Sequence, residues 1–136
     1  MKKVLETVRP FEKYQTWFVE YKNKIYDLNN LPNNFVFEAN LNLSGLDLQE
    51  LPDLSRVVVL GDFDCSDNEL LSLQGAPGLF VGGSFNCSAN LLYSLSGAPK
   101  YVCGNFDCSE NMLQNLEGAP RKINGSFLCC FNELQS

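Results

Sequence analysis

The sequence predicts an α/β solenoid, in which a right-handed coil carries a parallel sheet on its concave face and a helical cap covers its N-terminal end. Two observations lead to this prediction. One motif recurs every 21 or 22 residues in the later part of the chain, and such a period is the signature of stacked structural repeats. The N-terminal part instead has aromatic residues at helical spacing. We therefore expect one domain, composed of a cap over residues 1–25 and a solenoid of about five coils over residues 26–136.

The cap is predicted from the segment FEKYQTWFVEYKNK, which follows Pro10. Its aromatic residues recur at a spacing that is typical of an amphipathic helix. These residues are Phe11, Tyr14, Trp17, Phe18 and Tyr21. A proline can occupy the first turn of such a helix. Because the end of a solenoid exposes apolar core, we expect the helix to cover the first coil; the same aromatic cluster would also suit an interface with a partner.

The solenoid is predicted from four segments that align position by position. They are GDFDCSDNELLSLQGAP from Gly61, GSFNCSANLLYSLSGAP from Gly83, GNFDCSENMLQNLEGAP from Gly104 and GSFLCCFNEL from Gly125, and a more divergent copy, LNLSGLDLQELP, precedes them. In each copy the alternation Phe-x-Cys turns Phe and Cys to one face of a short strand. The glycine before it and Gly-Ala-Pro after it favour turns. Stacked copies would bury a continuous core that one copy alone cannot bury.

The consensus V-x-G-x-F-x-C-S-x-N-x-L-x-x-L-x-G-A-P resembles the leucine-rich repeat, whose core is L-x-x-L-x-L-x-x-N-x-L. Phe-x-Cys stands where that family has L-x-L, and the Asn and Leu follow at the family's offsets. The resemblance covers about residues 26–136, and the short period with its proline is similar to repeats of bacterial and bacteriophage proteins. It implies a curved sheet whose concave face binds proteins. The chain departs from the family at the first Leu, because its valine stands one residue earlier.

Two columns of the repeat have chemistry-bearing side chains that we interpret as structural. The asparagines are expected to bond backbone groups that the turn leaves unpaired, as a ladder. They are Asn68, Asn90, Asn111 and Asn132. The cysteines Cys65, Cys87, Cys108 and Cys129 are expected to fill the core, because a straight column does not converge on a tetrahedral zinc ion. A redox role for the vicinal pair Cys129 and Cys130 stays open.

The outward positions around Phe-x-Cys form the predicted partner-binding surface on the concave face. Their residues are Asp62, Asp64, Asp67, Asn86, Asn105, Asp107, Glu110, Leu128 and Phe131. The first copies are polar and acidic, whereas Leu128 and Phe131 turn the last copy apolar. These two residues would either cap the open end or form the centre of an interface. Calcium binding is not favoured, because the carboxylates do not follow the pattern D-x-D-x-D-G and do not recur from copy to copy.

Charge and composition narrow the function further. Residues 41–136 contain four Lys or Arg and eleven Asp or Glu, so a phosphate backbone would be repelled and a basic protein attracted. The chain has no histidine, which removes the commonest general base and most zinc sites. It has no apolar run of about 18 residues and no apolar stretch typical of a secretory signal. We expect a cytoplasmic protein with reduced thiols, in the host cytoplasm if a phage encodes it.

These observations favour a non-enzymatic protein-interaction module, without cofactor or metal, that binds a protein partner with a basic patch. It would bind neither nucleic acid nor membrane. Two alternatives remain open. The first is an inhibitor that blocks a host enzyme or defence system, by occlusion or by mimicry of nucleic acid. The second is a structural protein that self-associates, as a homodimer through the open C-terminal coil.

Overall fold

The computed structural model describes residues 6–135. Within that range the chain forms fourteen strands in three sheets. In chain order the strands are β1 (Thr7–Val8), β2 (Phe11–Lys13), β3 (Thr16–Tyr21), β4 (Lys24–Asp27), β5 (Val36–Phe37), β6 (Asn40–Asn42), β7 (Val58–Val59), β8 (Phe63–Asp64), β9 (Phe80–Val81), β10 (Phe85–Asn86), β11 (Tyr101–Val102), β12 (Phe106–Asp107), β13 (Lys122–Ile123) and β14 (Phe127–Leu128).

The six-stranded sheet is parallel and runs in the spatial order β1-β6-β8-β10-β12-β14. Phe85 pairs with Phe63 on one side and with Phe106 on the other, so equivalent residues of successive coils lie side by side. Their rings stack in the core, with centroids 5.2 Å apart between Phe63 and Phe85 and 5.3 Å apart between Phe85 and Phe106. This column of buried rings runs along the solenoid and supports the sheet from inside.

The five-stranded sheet is also parallel and runs in the order β13-β11-β9-β7-β5. It is built from the valine that precedes each Phe strand, and Val59, Val81 and Val102 are buried in the same core as the phenyl rings. Each coil therefore contributes two short strands, separated by a glycine corner. This explains why the valine stands too early for a leucine-rich repeat: it belongs to a separate strand in a second sheet.

The third side of each coil, the segment Leu-x-x-Leu-x-Gly-Ala-Pro, contains no strand in the described chain but is still bonded from coil to coil. The Leu91 N–H donates to the Leu70 carbonyl at 2.9 Å, and the Met112 N–H donates to the Leu92 carbonyl at 2.8 Å. Leu70, Leu92 and Leu113 are fully buried. The regularly spaced leucines of this side therefore pack into the core.

The predicted helical cap is wrong. Residues 11–27 form an antiparallel meander, β2-β3-β4, whose hairpins turn at Tyr14-Gln15 and Lys22-Asn23. All four turn residues have positive φ, between 51° and 64°, which is the geometry of tight two-residue hairpin turns. Along β3 the alternation buries Val19 and Tyr21 and exposes Glu20. The aromatic spacing that resembled a helix is the product of short strands folded back on one another.

The predicted solenoid is confirmed, but its α/β class is not. No helix occurs among residues 6–135, and the coil makes about four turns, so the fold is a parallel β-solenoid. The reason is the second strand of each coil: once both the Val and the Phe segments are extended, the remaining residues are too few for a helix. The first five residues of the predicted cap, and Ser136 at the end of the predicted solenoid, lie outside the described range.

Candidate functional site

The residues that the sequence proposes for partner binding lie in three outward columns at the six-stranded sheet. The first column joins successive coils and consists of Asn40, Asp62, Ser84 and Asn105. Each side-chain oxygen accepts a hydrogen bond from the backbone N–H one coil further on, Asp62 Oδ1 from Ser84 at 2.8 Å and Asn105 Oδ1 from Ser126 at 2.9 Å. A Cβ on the adjacent Gly83 would collide with Asp62 Oδ1 and with the backbone of the preceding coil. Asp62 and Asn105 thus hold the coils together.

The second column bonds the turn that comes after each strand. It consists of Asn42, Asp64, Asn86, Asp107 and Leu128. Asp64 Oδ1 accepts hydrogen bonds from the Ser66 N–H at 2.9 Å and from the Ser66 hydroxyl at 2.6 Å, which is an Asx turn. Asn86 makes the same two bonds to its own serine, and Asp107 accepts the backbone bond of Ser109 at 3.0 Å. Leu128 cannot accept such a bond and is 40% exposed.

The third column occupies a tight bend between the serine and asparagine positions of each coil, which are filled by Cys130 in the last coil and by Leu46 in the first. It consists of Gly45, Asp67, Ala89, Glu110 and Phe131. Gly45 has φ of 66° and the other four have φ of 55°, which is the left-handed region that side chains with a Cβ seldom adopt. Asp67 and Glu110 are exposed, and Phe131 is 82% exposed. Unlike the oxygens of the first two columns, the carboxylates of Asp67 and Glu110 accept no side-chain hydrogen bond within the described residues 6–135.

The asparagine amides form a ladder beneath these columns. Asn90 Nδ2 donates to the carbonyls of Cys65, Cys87 and Ser88 at 3.0–3.2 Å, and its Oδ1 accepts from the Leu70 N–H at 3.0 Å. Asn68, Asn111 and Asn132 make the equivalent sets of bonds. Among residues 6–135 no buried side-chain nitrogen or oxygen lacks a hydrogen-bond partner. The amides are therefore fully engaged within the solenoid.

Three thiols of the cysteine column, those of Cys65, Cys87 and Cys108, are buried, whereas the thiol of Cys129 is half-buried. Burial, and then the charge of Asp64, raises the pKa of Cys65 well above its ordinary range. Burial raises the pKa of Cys87 likewise, and burial together with Cys129 raises the pKa of Cys108 to about 12. Because the thiolate is the nucleophile and the metal ligand, these groups are poorly suited to either role. All six cysteines are free, and the redox hypothesis for Cys129 and Cys130 stays a prediction.

The last coil is the place where the columns lose their polar character. Leu128 and Phe131 lie three residues apart on the exposed side of that coil, while Phe127 and Cys129 between and beside them are only half-buried. In the preceding coil the equivalent positions are Asp107 and Glu110. The structure thus brings an apolar pair next to the half-buried Asp107 and the exposed Glu110 of the neighbouring coil.

The sequence analysis did not predict one surface, which is the outward face of the five-stranded sheet. The residue before the inward Phe37, Val59, Val81, Val102 or Ile123 lies on this face. The column is Val36, Val58, Phe80, Tyr101 and Lys122. The early position of the valine and the β-branched or aromatic residue beside it were the available signals, since such residues favour strands.

The comparisons leave the family open. No protein-family model matches the chain, nor does any curated protein or any solved structure. In residues 6–135 no group of three or more His, Cys, Asp or Glu side chains is placed to hold a metal ion. The described part of the chain also has no helix with the length and apolar character that crossing a membrane requires.

Proposed function

We propose that the protein is a non-enzymatic protein-interaction module. It binds a protein partner through the exposed carboxylates Asp67 and Glu110 together with the apolar residues Leu128 and Phe131 of the last coil. The partner presents a basic patch around an apolar centre. The kinship with leucine-rich-repeat proteins of bacteria and bacteriophages belongs to the same proposal, resting on the repeat motif.

Phe131 is the observation that carries this proposal. A bulky residue in the left-handed region is strained, by roughly 1–2 kcal/mol, and a phenyl ring that is 82% exposed gains little from burial in return. Glycine occupies this position in the first coil, at Gly45, without that strain. A large aromatic side chain kept in a costly and exposed position is suited to anchoring a partner, since aromatic anchors dominate many interfaces.

The remaining polar groups support a binding role over a catalytic one. Asp62, Asp64 and Asp107 accept hydrogen bonds from the scaffold, so one carboxylate oxygen of each, Oδ1, is already engaged. The buried thiols have raised pKa values that oppose thiolate formation. Six free cysteines fit the reducing cytoplasm that we propose as the protein's location.

Self-association is the second candidate function, and the last coil favours it. Leu134 is 40% exposed and Phe127 only half-buried, although their equivalents in earlier coils are fully buried. A second copy covering this end would bury both. Inhibition by mimicry of nucleic acid is supported less well, because several carboxylates that would imitate phosphates are bonded to their own coil.

A capture experiment with matched aromatic variants tests the proposal. Phe131→Ser and Tyr93→Ser each remove one exposed aromatic ring, but Tyr93, which is 64% exposed, lies on the third side of the solenoid. Tagged proteins would be expressed in the native cell and their bound proteins quantified by isotope-labelled mass spectrometry. We expect Phe131→Ser to lose a partner that the wild type and Tyr93→Ser retain. Equal retention by both variants, or equal loss, would contradict the assigned surface.

A further inference from the structure

The outward face of the five-stranded sheet carries Val36, Val58, Phe80 and Tyr101, and the exposed Leu79 comes directly before β9. We define these five residues as an apolar stripe. Val36 is 40% exposed, Leu79 54% and Tyr101 45%. The strands pair in register, Val36 with Val58 and Phe80 with Tyr101. At about 4.8 Å per strand the stripe is about 14 Å long. Contiguous exposed apolar residues of this kind mark interaction sites.

The basic residues of the solenoid are concentrated on the same face. All four Lys or Arg residues of positions 41–136 lie in or just before strands of this sheet, namely Arg56, Lys100, Arg121 and Lys122. The last three form a basic end to the stripe: the Arg121 N–H donates to the Lys100 carbonyl at 2.9 Å, and Lys122 pairs with Tyr101 in the sheet. Glu38, at the opposite end, is already paired with Lys22 at 3.4 Å.

The same molecule presents a surface that complements the stripe in charge, at the six-stranded sheet of the same coils. We call the exposed residues Asp67, Glu69, Glu110, Leu128 and Phe131 the acidic turn surface. It combines carboxylates with an apolar end, whereas the stripe combines apolar residues with a basic end. Both surfaces are formed by the same coils and therefore share one strand spacing, so their side-chain columns can match over several coils.

We propose that the apolar stripe with its basic end docks the acidic turn surface of a second copy of this chain. The inference rests on the proposed function, since it supplies the basic patch that the acidic turn surface is expected to bind. Because the two surfaces differ, the contact is heterologous. The dimer keeps one free stripe on one copy and one free acidic turn surface on the other, so assemblies grow with concentration. Anionic membranes and nucleic acids fit less well, because they offer only negative charge to a chain of net charge −6.

The contact is small and its affinity modest. A stripe of this length falls short of the roughly 800 Å² per partner of a standard stable interface, and two copies also share the same net charge. We therefore expect a dissociation constant in the range of about 10–100 μM, which sedimentation equilibrium of concentrated protein measures well.

Two complementary variants test the proposal. Tyr101→Glu/Lys122→Glu disrupts the stripe and leaves the acidic turn surface intact, whereas Glu110→Lys/Phe131→Ser does the reverse. We expect the average mass of the wild type to rise with concentration and each variant alone to stay at the monomer mass of 15.2 kDa. An equimolar mixture of the two variants should form dimers that do not grow further, because only one complementary pair of surfaces remains. Should a variant fail to fold, Leu79→Ser and Glu110→Gln provide milder replacements.

Three outcomes overturn the proposal, and the capture experiment separates its failure from that of the proposed function. A wild type that stays monomeric at every concentration contradicts it, as do variants that associate like the wild type. Co-sedimentation with vesicles that contain phosphatidylserine, by a monomeric protein, would assign the stripe to a lipid surface instead. If self-association fails while capture still depends on Phe131, the proposed function stands with another partner. If Phe131→Ser captures the same proteins as the wild type while self-association persists, this inference stands and the proposal of an external partner is refuted.

Discussion

The two parallel sheets come from the same coils, yet their outward faces have opposite character. On the six-stranded sheet the outward column is polar, and the side-chain oxygens of Asp64 and Asn86 bond the serine two residues later. On the five-stranded sheet the outward column is apolar, and Val36 and Tyr101 remain substantially exposed. The difference teaches that charge in a repeat does not by itself mark a binding surface, because here much of it is bound within the scaffold.

The cause lies in the bend at the end of each strand. After the Phe strand the chain turns sharply through a left-handed residue, and the bend leaves backbone N–H groups that need acceptors. The side chains of that sheet supply them. After the Val strand comes a glycine corner whose N–H groups bond the neighbouring coil, Gly82 to the Val59 carbonyl at 2.8 Å. The outward side chains of the five-stranded sheet are therefore left free for contacts with other molecules.

The largest expected difference in stability is between a variant of the asparagine ladder and a variant of the outward face of the five-stranded sheet. Asn90→Ala removes four hydrogen bonds and leaves the buried Leu70 N–H without its acceptor, so we expect the free energy of unfolding to fall by about 3 kcal/mol. Tyr101→Thr on the five-stranded sheet replaces an aromatic residue with a β-branched one, which strands also favour, and should cost at most about 1 kcal/mol. Urea denaturation measures both. Similar losses for the two variants would break the distinction between the faces.

Alkaline pH provides a second comparison, since the thiol of Cys87 beneath the six-stranded sheet is buried and that of Cys103 at the five-stranded sheet is exposed. The pKa of buried Cys87 is raised, chiefly by burial, so its stabilising contribution is complete below the unfolded thiol's pKa near 9 and is lost as the pH rises towards the folded value. Stability should fall by up to about 1.4 kcal/mol per pH unit for each such thiol. Cys87→Ala should reduce this slope, whereas Cys103→Ala, on the exposed face of the five-stranded sheet, should keep it. Identical slopes in denaturation series would refute the assignment.

The repeat could be predicted because its columns are spaced in the sequence as they are in space. The predicted solenoid followed from Phe63, Cys65 and Leu70 and their equivalents, most of which are buried. The second sheet could not be predicted as readily, because one valine per coil is too short a signal for a strand. It becomes a strand only when its neighbours above and below pair with it.

The secondary structure of the N-terminal cap could not be predicted from the spacing of its aromatic residues. Aromatic residues three or four apart fit a helix, but they also fit short strands joined by two-residue turns. Of the four turn residues in Tyr14-Gln15 and Lys22-Asn23, only Asn23 is of a type that favours the left-handed region. The sequence therefore contains only a weak signal for the two hairpins. The site could not be predicted fully for a similar reason. Asp62 and Asp64 accept hydrogen bonds from neighbouring backbone because of how the turns fold and the coils stack. Their outward position in the sequence pattern alone does not reveal these bonds.

The central claim is that the carboxylates of the solenoid divide into scaffold and free surface. It is tested most directly by Asp64→Ala and Glu110→Ala. Both remove one negative charge at the same sheet, and Asp64→Asn serves as a control, because Asn86 makes the same bonds with an amide. Urea unfolding should show a loss of about 1–2 kcal/mol for Asp64→Ala, and changes within about 0.5 kcal/mol for Glu110→Ala and Asp64→Asn. Equal losses for Asp64→Ala and Glu110→Ala, or an Asp64→Asn as unstable as Asp64→Ala, would contradict the account.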